Sequence, residues 1–199
     1  MMPDEAALKL QTPHLTDAGR AVLMINPARA YRTLVPSESG SAEARAALEP
    51  LDAYKLTPTF PAAPEAANAA LAGLWLWHDF LHESHQISQS IDNPTGSFWH
   101  MIMHRREGDF SNAKYWVRQT GRHPLFPSIA AKADDLVRPM LADKRFLRLT
   151  ANGWDASAFV DLVESVADTP DDPAHRVTVG LQQLEWRVLF DECMGQAVG

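Results

Sequence analysis

HDFLHESHQISQSIDNPTGSFWHMIMHRREGDFSNAKYWVRQTGRH, residues 78–123, holds six of the eight histidines of the chain. His78, His82 and His85 are spaced i, i+4, i+7, and His100, His104 and Glu107 repeat that spacing. Residues three and four apart share one face of a helix, so both triplets read as narrow polar stripes on helices. Asp92, Asn93, Pro94 and Gly96 interrupt the helical pattern between them, and such a cluster marks a turn. The stretch therefore predicts an antiparallel helical hairpin, with a first long helix over Glu65–Ser90 and a second over Gly96–Arg106. Glu107, Gly108 and Asp109 form the next turn, with Gly108 free to take positive φ and Asp109 placed to cap a third helix, Phe110–Thr120, that stops at Gly121.

Outward from this core the pattern stays helical. Ser128–Leu141 reads as a helix disturbed by Pro139. A short piece over Asp143–Leu149 and a turn at Asn152–Gly153 lead to an amphipathic helix over Asp155–Ala167, with Phe159, Leu162, Val163 and Val166 on one side. After a loop at 168–173, a last helix is predicted over Ala174–Gln196. No alternating apolar run of useful length appears, so the fold class is all-α, an irregular multi-helix bundle.

Residues 1–65 are different, carrying eight of the fourteen prolines. Proline lacks the amide donor and biases its predecessor away from helix. This segment reads as an irregular arm with short helices near Asp17–Met24 and Ser41–Leu48, the second capped by Ser41, and an extended connector at 58–64. Val22, Leu23, Ile25, Tyr31, Leu34, Tyr54 and Phe60 call for burial, so the arm is expected to pack on a helical domain formed by residues 66–199.

The totals exclude several classes of function. Apolar content of 46% and charged content of 22% suit a globular protein of one domain. A formal net charge of −7 argues against a nucleic-acid partner, which would be held by Lys and Arg neutralising phosphates. Residues 78–123 hold five acids and five bases, so the whole excess of acid lies elsewhere. No apolar run is long enough to span a membrane, and MMPDEAALKL (1–10) lacks the basic and apolar regions of a signal peptide. Cys193 is the single cysteine, which fits a reducing, cytoplasmic setting.

Two resemblances are carried by the sequence. WHMIMHRREGDFSNAKYWVRQTGRHP (99–124), continued through ValGluSer (163–165) and GluTrpArgValLeuPheAspGluCys (185–193), resembles a bacterial family of uncharacterised helical proteins. That resemblance implies a helical fold and brings no activity with it. Gly108, Phe110, Ala113, Val117 and Pro124 are similar to one helical hairpin of a tetratricopeptide or Sel1-like repeat. A solenoid needs several stacked units, and one is found here.

The chemistry is expected at the histidines. Antiparallel pairing of the first two helices sets His82 beside His104, with His78 and Glu107 one turn away. Side chains projecting inward from neighbouring helices are how bundles build metal sites. His78, His82, His104 and Glu107 are therefore the expected ligands, with His85 and His100 as alternates, and a divalent metal, Zn or Fe, is the implied cofactor. No HisGluXaaXaaHis motif is present. The function this suggests is a metal-binding, metal-dependent enzyme acting on a small molecule. One alternative is a helical protein-interaction module whose histidines form a self-satisfied hydrogen-bonded interior. Another is a metal-free acid–base site for a small anion, with Arg105 and Arg106 as the anion clamp.

Overall fold

A computed structural model describes residues 14–199 of the chain. The signal-peptide expectation for residues 1–10 lies outside them. Ten α-helices follow in order: α1 Asp17–Leu23, α2 Ala42–Leu48, α3 Ala53–Leu56, α4 Pro64–Trp77, α5 Leu81–Ser88, α6 Pro94–Glu107, α7 Phe110–Thr120, α8 Phe126–Val137, α9 Ala156–Val166 and α10 Pro173–Val198. Two 3-10 turns, Arg138–Met140 and Lys144–Phe146, link α8 to α9. Among the described residues there is no β-strand, only an isolated bridge between Ala151 and Gly153. The protein is an all-α multi-helix bundle. None of the described helices is long and apolar enough to cross a membrane.

The first predicted helix is two helices. The chain breaks at His78–Phe80 without a glycine or proline to announce it. Asp79 takes φ +63°, Phe80 N donates to Trp75 O at 3.0 Å, and Asp79 N donates to Leu76 O at 3.1 Å. These are the two bonds of a Schellman motif, and the accompanying apolar contact is Phe80 set edge-on to Trp75 at 5.4 Å. Glycine usually fills the left-handed position, but Asp tolerates it better than most residues. Arg106 holds the corner from the far side. It donates to Leu76 O at 2.8 Å, to Asp79 Oδ1 at 2.6 Å and to Thr33 O at 3.1 Å.

The other boundaries follow local chemistry. Asn93 caps α6 and Asp109 caps α7, each accepting an amide three residues on. Gly108 turns the chain between them at φ +85°. Pro139 ends α8 at Val137 in favour of a 3-10 turn, and α10 begins on Pro173 with Asp172 as its cap, running unbroken through Val177–Val179.

The core is aromatic and centres on Trp186 of α10. Its ring stacks on Phe190 at 4.7 Å and tilts against Trp77 at 4.5 Å. Its indole N–H donates to the main-chain carbonyl of Gly73 in α4 at 2.8 Å. Residue 73 is glycine because the Trp99 ring packs directly against it: a Cβ there would lie 2.7 Å from that ring.

The described part of the N-terminal arm belongs to this core. Leu15, Val22, Leu23, Tyr31, Leu34, Leu48 and Leu56 are buried in it, whereas Tyr54 and Phe60, expected to be covered, are exposed and pack on each other. Thr16 caps α1 and Ser41 caps α2. The short helix α3, capped by Asp52, has no counterpart in the sequence reading. Tyr31 stacks on Trp77 at 5.6 Å, and the Arg106 guanidinium lies over its ring at 3.9 Å.

Candidate metal centre

Three histidines converge between α5, α6 and α7. His100 and His104 lie one turn apart on α6, and His85 comes from α5. One ring nitrogen from each lies within 4.8 Å of the others. Ser84 and Ser88 are the buried residues of α5. Small side chains on that stripe let α5 lie close to α6, and the His85 ring reaches 4.5 Å from His100 and 5.5 Å from His104. The Gly108 turn folds α7 back along α6, where Trp116 stacks on His100 at 3.9 Å and 16°. The two α6 imidazoles are themselves stacked at 4.8 Å.

Burial and mutual repulsion favour the neutral form of His100 and His85. Desolvation lowers the pKa of His100 to about 4, with nearby His104 and His85 adding to the effect. Desolvation also lowers His85, with His104 contributing and Glu107 opposing. A neutral imidazole has one lone pair to offer a metal. His100 is 3% exposed, and its Nδ1 has no hydrogen-bond partner. A buried polar atom left unpaired costs about 1–3 kcal/mol. His104 is the better satisfied ring. Its Nδ1–H donates to Glu107 Oε2 at 3.1 Å, and Asn112 Nδ2 donates at the same distance to its Nε2, the lone pair that an ion would take over from the amide. A carboxylate on the outer nitrogen of a ligating histidine fixes the tautomer and raises basicity.

The rings sit at the edge of a cleft of about 640 Å³, a volume within the range of small-molecule sites. His82, His85, His104 and Glu107 all line it. In a tetrahedral complex with metal–nitrogen bonds of about 2.0–2.1 Å, ligand nitrogens stand roughly 3.3 Å apart. The three ring nitrogens lie within 4.8 Å of one another, so a bound ion would have to draw them closer.

Of the residues expected from sequence, His104 is in the cluster and Glu107 is bonded to it. His85 and His100, the alternates, are the other two members. His82 lies on the exposed side of α5 and faces the cleft. His78 is elsewhere: its Nε2–H donates to Val22 O at 2.8 Å, tying α4 to α1. The break at Asp79 is the reason, because it turns α5 independently of α4 and separates His78 from the stripe it would otherwise share. Arg105 and Arg106 are no anion clamp. Both are fully buried. Arg105 pairs with Glu185 at 2.5 Å over the Phe159 ring, and Arg106 is spent on the α4 corner. Asn112 was not singled out in the sequence, although it shares a helix face with Trp116 four residues on. His123, the sixth histidine of the 78–123 stretch, packs against Phe98 at 5.1 Å and serves the core.

No family model matches the chain, and no curated protein or solved structure matches it either.

Proposed function

We propose that the protein binds a divalent transition metal through His85, His100 and His104, with a remaining coordination position open toward the cleft. Three imidazole ligands suit Zn and Fe among the common metals. Such an ion lowers the pKa of a bound water or polarises a substrate oxygen, which makes a metal-dependent enzyme the function this site supports best. Glu107 orients His104 and stands at the cleft to take up a proton. The observation that carries the reading is His100 Nδ1, a buried and unpaired nitrogen beside two further imidazoles.

Titration of chelator-treated, untagged protein with Co²⁺ tests it. One equivalent should bind and give visible d–d absorption. His85→Ala, at a half-buried position, and His100→Gln should each weaken binding by about tenfold or more, against about 10–100-fold for outer partners in known sites. Absence of saturable binding, or binding indifferent to both substitutions, would overturn the proposal. A second reading, acid–base chemistry without a metal, is favoured by the His104–Glu107 hydrogen bond and is what a negative titration would leave.

A further inference from the structure

We infer that the buried junction where the N-terminal arm meets α4, α6 and α10 is a water-binding site, holding a small internal cluster that joins five side chains with unpaired polar atoms. Arg105 and Arg106 of α6, Gln182 of α10 and Tyr31 of the arm are fully buried, and Trp77 of α4 is nearly so. Tyr31 Oη, Trp77 Nε1, Arg105 Nε and Nη1, Arg106 Nε and Gln182 Oε1 have no hydrogen-bond partner among the described residues. The five side chains form one neighbourhood. Arg106 Nη2 and Gln182 Nε2 donate to the same carbonyl, Thr33 O, at 3.1 and 3.0 Å. The Arg106 guanidinium lies over the Tyr31 ring at 3.9 Å, and that ring stacks on Trp77 at 5.6 Å. Arg105 is tied to Glu185, one turn along α10 from Gln182. The charges of Arg106, Arg105 and Glu185 all reach the Tyr31 hydroxyl.

A buried polar atom without a partner bears the full loss of its hydration. Six such atoms in one place would together rival the net stability of a whole domain, so a bound species satisfies them. The balance of donors and acceptors says which. Arg105, Arg106 and Trp77 can only donate, and Gln182 Oε1 can only accept. The Tyr31 hydroxyl does both, because burial raises its pKa and keeps it protonated. An anion would accept from the donors but would set a negative charge against Gln182 Oε1. It would also upset a balance of charge, since Arg105 is matched by Glu185 and Arg106 by Asp79. Water accepts from the donors, donates to the amide oxygen and adds no charge. Tyr31 holds φ +53°, a left-handed conformation costly for an aromatic residue, and the hydrogen bonds of the cluster help to offset that cost. The site stands apart from the histidines and uses none of their atoms.

Tyr31→Phe reads the sign of the effect, because it removes the hydroxyl and keeps the ring stack. Removing a hydroxyl that is bonded to water breaks those bonds, so the folding equilibrium constant from urea unfolding of the full chain should fall by about fivefold. Removing an unpaired buried hydroxyl leaves that constant unchanged or raises it, and either result would overturn the inference. A crystal of the full chain soaked in sodium bromide gives the direct view. Ordered solvent should lie between Arg105, Gln182 and Tyr31, with no anomalous bromide signal among them. A bromide peak there would make the junction an anion site and end the water reading. A dry junction, with these side chains paired to one another, would end it too.

Discussion

Arg106 Nη2 donates to Asp79 Oδ1 at 2.6 Å across the end of α4, and this pair sets where the histidines of α5 go. Asp79 occupies the left-handed position that turns the chain out of α4, while Arg106 sits on α6, two residues beyond His104. The corner that aims α5 and the helix that carries two of the three imidazoles are thus joined by one charged contact. Substituting Asp79 by Ala removes the partner of a fully buried guanidinium and places a poorer residue at positive φ. Loss of one member of a fully buried pair costs about 3–5 kcal/mol, and the cost here is smaller, because Asp79 is partly exposed and Arg106 keeps the carbonyls of Leu76 and Thr33. Asp79→Asn keeps the tolerance for left-handed backbone and one acceptor oxygen, so its loss should be smaller. Urea unfolding of the two variants should rank them in that order, and Co²⁺ affinity should fall in step as α5 loosens.

The acid limb of stability should carry the signature of His100. Its folded pKa is lowered to about 4, against about 6.5 for an unperturbed imidazole in the unfolded chain. Between those values the unfolded state binds more protons, so the contribution is intact above pH ~6.5 and is lost as pH falls toward ~4. His78, His85 and His123 are lowered as well, each by desolvation first, and they add in the same direction. Unfolding free energy measured by urea between pH 7.5 and 4.5 should therefore decline. The decline should be shallower in His100→Gln than in the parent. Equal slopes would mean that His100 has the same pKa folded and unfolded.

Most of the fold was legible because it is written in local chemistry. Asn93, Asp109 and Asp155 cap their helices through side-chain oxygens three residues from the amides they accept, and Gly108 and Gly121 mark turns by their positive φ. The break at Asp79 was hidden because its determinants are nonlocal: Arg106 lies 27 residues away, and Phe80 closes the motif by packing rather than by type. The site inherited that error. One continuous helix makes His78, His82 and His85 one stripe, whereas two helices send His78 to Val22 and leave His85 facing α6. Charge pattern misled at Arg105 and Arg106, since Glu185, the partner that buries Arg105, is 80 residues on.

Glu185 supplies a sharper test of that burial. Its Oε2 accepts from Arg105 and its Oε1 from the Trp154 indole at 3.1 Å, all in the interior. Glu185→Leu alone should destabilise by about 3–5 kcal/mol, because Arg105 is left charged and unpaired. Adding Arg105→Met should recover much of that loss, giving a coupling energy above about 1 kcal/mol in a double-mutant cycle. Strict additivity of the two substitutions would mean that the pair contributes nothing as a pair.

Trp116 should act on the proposed metal centre without being a ligand. Its ring lies flat on His100 at 3.9 Å and shields one face of an imidazole whose low pKa comes first from desolvation. Trp116→Ala admits water to that face. The pKa of His100 should then climb from about 4 toward the ordinary value, following the sign of the desolvation effect. The ring resonances of His100, followed by NMR through a pH titration, report this directly. Trp116→Phe retains a stacking face and should move the titration less. Two consequences follow for Co²⁺ uptake. Proton competition at His100 should begin at a higher pH in Trp116→Ala, and affinity at pH 6 should fall more than affinity at pH 8. An unchanged His100 titration in Trp116→Ala would show that the imidazole is kept neutral by His85 and His104 rather than by its aromatic cover.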